Sequence, residues 1–124
     1  MLGDAVLAID QGTSATKAVV TGLDGSVLAL TECPIDVVAR PDGSVEFDPI
    51  EMWNSVLTAA RDAHSAAGTP RLAAIGLGNQ GETILAWDRR TGEPLSRAMV
   101  WQEDRKSTRL NSSHVALSRM PSSA

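Results

Sequence analysis

Hydrophobic and polar positions along the first hundred residues predict six strands and one helix. Ala5–Ile9 is a short apolar run of the kind seen in buried strands, and it ends at Asp10. Two more strands, 16–21 and 27–31, are joined by the Asp24-Gly25 signal of a tight hairpin. Three strands with short connections indicate an antiparallel meander. Residues 34–45 are predicted to be extended and rich in turns, and the remaining strands are expected at 72–77, 83–88 and 98–101.

The predicted helix lies between the third and fourth of these strands. Asp48 is a suitable N-cap, Pro49 suits the first helical position, and Glu51 completes a pattern resembling a capping box. Gly68 can end the helix in a left-handed conformation. Phe47 and Met52 have the spacing of a hydrophobic staple. The spacing of apolar residues predicts a buried face made of Ile50, Trp53, Val56, Leu57, Ala60 and His64, so that Trp53 and His64 are interpreted as packing residues.

Charge divides the 124 residues into two unlike pieces. Residues 1–103 carry 7 basic and 14 acidic residues, whereas residues 104–124 carry 4 basic and 1 acidic residue and 6 serines. The second piece has no strand or helix periodicity, and a disordered tail is one interpretation of it. A more specific interpretation is that 104–114 and 118–124 back-translate into a sequence resembling a sequencing-library adaptor, with 115–117 as its variable index. We therefore predict that 104–124 is translated synthetic DNA. The first base of the adaptor would also supply the last base of codon 103, so we predict that the natural codon there encodes Asp rather than Glu.

Composition excludes several classes of protein. Hydrophobic residues make up 43% of the chain, enough for a packed core, but no apolar run reaches the roughly 18 residues of a membrane span. Asp4 stands where a signal peptide has basic residues, and the single Cys33 fits a reducing compartment. The net charge of −4 argues against nucleic acid as a partner. These features lead us to expect a cytoplasmic protein that binds neither nucleic acid nor membrane.

A polar turn after the first strand is the first candidate site. Gly12 lets the chain approach a ligand closely, and Thr13 and Ser14 offer hydroxyl and N–H donors to phosphate oxygens. Lys17 adds a positive charge, and Asp10 can hold Mg²⁺ through waters. The pattern is typical of a phosphate-binding hairpin and is not a P-loop; an ordinary polar β-turn is the alternative.

The second candidate is the glycine-rich stretch 76–83. It contains G-x-G-x-x-G, but the dinucleotide-binding interpretation needs a helix after it, and 83–88 is predicted to be a strand.

The amide and carboxylate side chains of Gln80 and Glu82 suit a polyol, whose hydroxyls both donate and accept. Trp101, followed by an amide residue, is a candidate wall for a sugar. A polar hairpin loop and a core tryptophan are the alternatives.

Four motifs together resemble the N-terminal part of the FGGY family of carbohydrate kinases, in its glycerol kinase branch. They are 8–14, 43–49 with the helix that carries Trp53, 74–83, and 98–102, and they span essentially residues 5–102. The resemblance implies an α/β fold, part of an actin-like, ribonuclease-H-like ATPase domain with βββαβ-β order. It also implies a sugar or polyol kinase that uses ATP and Mg²⁺.

The resemblance carries roles to particular residues. Asp10 falls in the metal and phosphate region, and Gly12, Thr13, Ser14 and Lys17 fall at phosphate contacts. Gln80, Gly81, Glu82 and Trp101 fall on the substrate side, where Gly81 replaces an arginine that grips glycerol in glycerol kinases. The catalytic base is an aspartate farther downstream, so 1–103 is expected to be a partial domain that is inactive alone. A non-enzymatic actin-like nucleotide-binding domain stays open, as does a homo-oligomer of the full-length protein.

Overall fold

The computed structural model describes residues 3–101, which form two four-stranded sheets and one long helix. The strands are β1 (Ala5–Gln11), β2 (Ala15–Gly22), β3 (Val27–Pro34), β4 (Val38–Ala39), β5 (Ser44–Phe47), β6 (Leu72–Asn79), β7 (Thr83–Ile84) and β8 (Ala98–Trp101), and the helix is α1 (Pro49–Ala66). The predicted adaptor-derived tail, 104–124, lies outside the described residues.

The first sheet has the order β3-β2-β1-β6. β1, β2 and β3 pair antiparallel, which confirms the predicted meander, and β6 pairs with β1 in parallel. A parallel neighbour needs a crossover connection, and α1 provides it between β3 and β6. The carboxyl ends of β1 and β6 therefore lie side by side, with Gln11 registered against Asn79.

The second sheet has the order β4-β5-β8-β7. It corrects two predictions, because residues 34–45 contain β4 and the start of β5, and because the strand expected at 83–88 is only Thr83–Ile84. The strand propensity of residues 44–47 alone did not predict β5, because β5 is stabilised by pairing with β8, which lies far along the chain. Glu46 of β5 accepts a hydrogen bond from Arg40 (Nη2–Oε2, 2.8 Å) and forms an ion pair with Arg97 (Nε–Oε2, 3.2 Å). Its carboxylate therefore links β5 to the residue that follows β4 and to the residue that precedes β8.

The ends of α1 follow local rules. The Asp48 carboxylate accepts from Ile50 N at 2.9 Å, as predicted for an N-cap. At the other end Gly68 has φ of 84°, and Thr69 N donates to His64 O while Gly68 N donates to Ser65 O, which is a Schellman motif. The capping-box prediction is wrong in its partner, because the Glu51 carboxylate accepts from Asp36 N (3.0 Å).

The face of α1 that packs on the first sheet matches the predicted one only in part, since Val56 is buried and Ala60 packs against the core as predicted. The sheet buries Ser55, Val56, Ala59 and Ala63, whereas Trp53 is 55% exposed and Ile50 is exposed as well. Alanines on both partners let the helix backbone come close to the strands. His64 is half-buried, and its Nε2 lies 2.8 Å from the carbonyl oxygen of Pro70. The core between α1 and the sheet consists of Ala5, Leu7, Ile9, Ala18, Val20, Val56, Ala59 and Ala63.

Three turns outside the candidate site are held by aspartates that accept local hydrogen bonds. The Asp24 carboxylate accepts from the Ser26 hydroxyl and backbone N–H, Asp42 does the same with Ser44, and Asp88 accepts from the N–H groups of Arg90 and Thr91. These bonds favour the charged form and lower the pKa of each aspartate. Because the pKa of each aspartate is lower in the folded state, its ionised carboxylate stabilises the turn fully at pH values above the unfolded-state pKa. This stabilisation is lost as the pH falls through the folded-state pKa.

β6 leaves apolar surface uncovered within residues 3–101. In this part of the chain it pairs only with β1, and Ile75 and Leu77 are exposed although they lie on the same side of the sheet as α1. On the other side of the sheet Leu30 is exposed too. No helix among these residues is long and apolar enough to span a membrane.

We expect the isolated 124-residue chain to self-associate, because a long uncharged edge strand with exposed apolar residues invites pairing. Sedimentation velocity over a range of concentrations measures this. Leu77→Lys should reduce association by charging the edge, whereas Leu95→Lys, at an exposed position outside the strands, should have little effect. A monomer with a cooperative unfolding transition at all concentrations would contradict the expectation.

Candidate functional site

The turn between β1 and β2 is closed by backbone hydrogen bonds. Gly12 N donates to Ala15 O (2.9 Å), and Ile35 N, directly after β3, donates to Ser14 O (2.9 Å), so the segment that follows β3 supports the turn. A Cβ on Gly12 would lie 2.8 Å from Ala15 O, which is too close for any other residue without a shift. Glycine is therefore required here because the turn closes tightly on itself, and the close approach of Gly12 to a ligand stays a prediction.

Charged side chains form a row across the open face of the first sheet at this end. Asp10 is registered against Lys17, and Lys17 is registered against Glu32 on the following strand. All three are exposed, and Asp10 and Lys17 line a cavity of about 270 Å³ with Leu30. Cross-strand neighbours of opposite charge can hold a phosphate and its metal ion together, since one group binds the anion and the other the cation.

Asp10 fits the requirements of a magnesium site that depends on a nucleotide. Among residues 3–101 there is no cluster of three or more His, Cys, Asp or Glu side chains able to form an all-protein metal site. Mg²⁺ in phosphotransfer sites takes one or two carboxylates and completes its shell with waters and phosphate oxygens. A single exposed carboxylate beside the predicted phosphate-binding turn meets that need, so Asp10 fits the role predicted for it.

The loop after β6 is attached to the end of β1. Gln80 N donates to Gln11 O at 3.1 Å, which places Gln80, Gly81 and Glu82 next to the β1–β2 turn. Gly81 and Glu82 are exposed. The side-chain nitrogen of Gln80 and the hydroxyl of Thr83 are shielded from solvent and have no hydrogen-bond partner among the described residues. The two candidate motifs, about seventy residues apart in the chain, thus meet at the carboxyl ends of two parallel strands.

Gly81 has no structural reason to be glycine. Among residues 3–101 nothing lies within 4 Å of a Cβ placed there, and its backbone is not in the left-handed region. Neither sterics nor backbone conformation in this part of the chain therefore demands glycine beside Glu82.

Trp101 is brought toward this loop through the second sheet. β7 pairs with β8 with Thr83 opposite Val100, so the backbone of Trp101 continues toward Glu82. The side chain of Trp101 lies outside the described residues, and its role as a substrate wall stays a prediction. The G-x-G-x-x-G stretch is followed by β7, which agrees with the exclusion of a dinucleotide site.

Three buried polar residues near the site were not singled out from the sequence. Gln11 and Thr16 are registered against each other at the base of the turn, and Ser55 lies above them on α1. The Gln11 side-chain amide donates to Gly12 O (2.7 Å). Strict alternation along β1 and β2 would have placed Gln11 and Thr16 on the α1 side of the sheet, because Ile9 and Ala18 lie on that side.

A groove continues from Gln11 along α1. Its volume is about 430 Å³, and its lining is apolar except for Gln11 and Asn79 at one end. Trp53, predicted to be a packing residue, lines this groove. The other lining residues are Pro49, Met52, Val56, Leu77 and Leu85.

Comparison with known proteins agrees with the fold and with the order of the motifs. The profile of the FGGY family of carbohydrate kinases, N-terminal domain, matches residues 5–116. The glycerol kinase of Rhodospirillum centenum is 46% identical over 102 residues, covering 81% of this chain and 20% of that protein. The glycerol kinase of Methylorubrum extorquens is 45% identical over 118 residues, covering 94% of this chain and 23% of that protein.

Solved structures show the same architecture. The crystal structure of Plasmodium falciparum glycerol kinase with ADP superposes with a TM-score of 0.71 at 27% identity, covering 87% of this chain and 22% of that one. Xylulose kinase from Rhodospirillum rubrum gives a TM-score of 0.68 at 23% identity, covering 77% and 20% of the two chains, which shows the fold alone. The chain spans about a fifth of the length of these relatives. With the N-terminal-domain profile matching residues 5–116, most of its length, this chain belongs to the FGGY family of carbohydrate kinases.

Proposed function

We propose that the full-length protein is a kinase that transfers the γ-phosphate of ATP to a hydroxyl of a sugar or polyol in the cytoplasm. The observation that carries the proposal is the hydrogen bond from Gln80 N to Gln11 O, which joins a phosphate-binding turn to a loop suited to hydroxyl groups. Ligands of open α/β sheets bind outside the carboxyl ends of the strands, and both motifs lie there.

Each residue has a role that its position supports. Thr13 and Ser14 donate to phosphate oxygens, Gly12 allows the backbone to approach them, and Lys17 neutralises part of their charge. Asp10 would hold Mg²⁺, which would shield the phosphate charge. Strand pairing fixes Asp10 and Lys17, and the hydrogen bond from Gly12 N to Ala15 O closes the turn between them, so little reorganisation is needed on binding.

The acceptor substrate contacts the loop after β6. The exposed Glu82 carboxylate accepts from substrate hydroxyls. Gln80 lies in the same loop, and its side-chain nitrogen, shielded here and without a partner among the described residues, would have to turn outward to donate to one. Trp101 completes the substrate side through its family resemblance. The base that accepts the hydroxyl proton is, by the same resemblance, an aspartate downstream of residue 103, so we propose that the 124-residue chain is inactive alone.

A kinase assay on the full-length gene product tests the proposal. The panel contains glycerol, longer polyols and ketoses, and the readout is ADP release that depends on both Mg²⁺ and the acceptor. Turnover with at least one member is the expected result. Nucleotide binding without acceptor-dependent turnover would instead indicate a non-enzymatic actin-like domain.

We propose further that the preferred acceptor is larger than glycerol. Gly81 replaces the arginine that the resemblance places beside Glu82 in glycerol kinases, and no atom of the described residues lies within 4 Å of a Cβ placed at this position. Loss of a guanidinium removes a fork of donors that suits a small triol and leaves room for additional carbons.

Gly81→Arg is expected to shift specificity toward glycerol. The ratio of kcat/KM for glycerol to that for the best larger polyol should rise about tenfold, the usual value of one or two substrate contacts. Gly81→Met is the matched control, because it fills similar space without donors and should lower use of the larger polyol without improving that of glycerol. An unchanged ratio with Gly81→Arg would show that position 81 does not face the substrate.

We keep the adaptor origin of 104–124 as a proposal, which disagrees with the family profile where that profile extends to residue 116, and which can be checked directly. Sequencing the source locus should show an open reading frame that runs past residue 103 with codons unrelated to residues 104–124. A natural stop codon near 103 would contradict both the adaptor origin and the partial-domain proposal.

A further inference from the structure

Polar side chains in the core beneath the first sheet are concentrated at one end. The buried residues between α1 and the strands are otherwise alanine, valine, leucine and isoleucine. Gln11, Thr16 and Ser55 are the exceptions, and Thr16 is completely inaccessible to solvent. All three lie at the base of the β1–β2 turn or directly above it.

Two of these side chains form a directed chain of hydrogen bonds into the helix. The hydroxyl oxygens of Thr16 and Ser55 are 2.6 Å apart, and the Ser55 hydroxyl donates to Met52 O at 2.6 Å. Because a hydroxyl has one hydrogen, Ser55 gives its own to Met52 and must accept that of Thr16. Chains of this kind polarise one another and fix the orientation of both groups.

The contact acts at the point where the turn joins the sheet. Thr16 is registered against Gln11, follows Ser14 by two residues and precedes Lys17. A displacement of Thr16 relative to α1 would therefore move the turn and Lys17 together.

A buried hydroxyl pair is not the strongest way to stabilise this interface. Valine and alanine would fill the same positions without desolvating polar groups, as they do in the rest of this core. What the pair adds is direction, since a hydrogen bond has a required geometry and apolar contacts do not.

We propose that Thr16 and Ser55 are positioning residues that hold the β1–β2 turn in the geometry that binds phosphate. Their effect on nucleotide affinity rests on the proposed function, whereas their effect on the order of the turn does not. They touch neither nucleotide nor acceptor and act through the backbone of residues 12–15.

The chain contains a matched control. Thr31 on β3 also donates its hydroxyl to α1, to Ala59 O at 2.8 Å, one helical turn beyond Ser55. Thr31 is registered against Ala18, away from the turn. Thr16→Val and Thr31→Val therefore each remove one hydroxyl between the sheet and the same helix, and only the first affects the contact at the turn.

Amide hydrogen exchange on this chain is the first readout. The informative amides are those of Gly12 and Ile35, whose acceptors are the carbonyls of Ala15 and Ser14. Relative to amides in the centre of β1, Thr16→Val should speed exchange at these two about tenfold, the value of one hydrogen bond. Thr16→Ser should restore protection, and Thr31→Val should change central and turn amides equally. Equal effects of the two valine variants would overturn the proposal.

Titration of the full-length protein with Mg²⁺-ATP is the second readout. Thr16→Val should weaken binding about tenfold and Thr31→Val by less than about twofold. If the unmodified full-length protein binds no nucleotide, the phosphate-binding role of the turn fails, and amide exchange still decides the positioning role. Ser55→Ala gives a second route if Thr16→Val does not fold, and the double variant should be no worse than the more severe single variant. Additive losses would show that the two hydroxyls act separately.

Discussion

Asp10→Asn is expected to lower kcat of the full-length kinase at least about 100-fold, the usual loss when a preorganised charge at a phosphoryl-transfer site is removed. The carboxylate of Asp10 stands at the carboxyl end of β1, opposite Lys17 and exposed. Asparagine keeps the shape of the side chain but loses the charge that we propose holds Mg²⁺. Steady-state assays across a range of Mg²⁺ concentrations measure the effect, and excess Mg²⁺ should recover part of the activity.

The same row of charges supplies the control for this prediction. Glu32 flanks Lys17 from the other side and is exposed as well, but it lies on β3, away from the Gln80–Glu82 loop. Glu32→Gln changes the charge by the same amount and should leave kcat within about twofold, as is usual for surface substitutions outside a site. Equal losses in the two variants would mean that net charge on this face matters rather than metal binding by Asp10.

Phe47→Ala should cost about 3 to 5 kcal/mol of folding free energy, the range for removing a buried aromatic side chain. Phe47 is fully inaccessible and packs with Val45, Ala98 and Val100 in the core of the second sheet. It also directly precedes the Asp48 cap, and Met52 packs against the same core, as predicted for a hydrophobic staple. Its loss therefore disturbs the start of α1 as well as the sheet.

Urea unfolding monitored by tryptophan fluorescence at low protein concentration measures this loss. Because domains are stable by only about 5 to 15 kcal/mol, the variant should unfold at much lower urea or be largely unfolded without it. Val38→Ala, at an exposed position on β4 of the same sheet, should shift stability by less than about 0.5 kcal/mol. A small shift with Phe47→Ala would show that the second sheet is not part of the cooperative unit.

Features that depend on neighbouring residues were predictable. The hairpin at Asp24-Gly25, the Asp48 cap and the end of α1 at Gly68 match the structure closely, because turn and cap geometry is decided within a few residues. The partner of Glu51 was not predictable, since its carboxylate reaches Asp36, fifteen residues earlier in the chain.

The buried face of α1 could not be predicted fully from the local sequence. The apolar spacing of α1 is compatible with more than one stripe, and the sheet buries the stripe with Ser55 and Ala59 while Trp53 lines a groove. Which stripe faces inward depends on where β1, β2 and β3 lie, and small residues there allow the closest approach. Ser55 is a polar residue in a core that is otherwise apolar at this helix. It is buried against the Thr16 hydroxyl, a contact that only the tertiary structure shows.

The sequence by itself determined the order of motifs, the meander, the bounds of α1 and the chemistry of each candidate residue, because these follow from side-chain type and local backbone geometry. Only the tertiary structure decided that the β1–β2 turn and the Gln80–Glu82 loop meet, since parallel pairing of β1 with β6 brings together residues about seventy positions apart. It also decided that β5 is a strand, because β5 is stabilised by pairing with β8, which lies far along the chain. Long-range pairing depends on the whole fold, which no single stretch of sequence specifies.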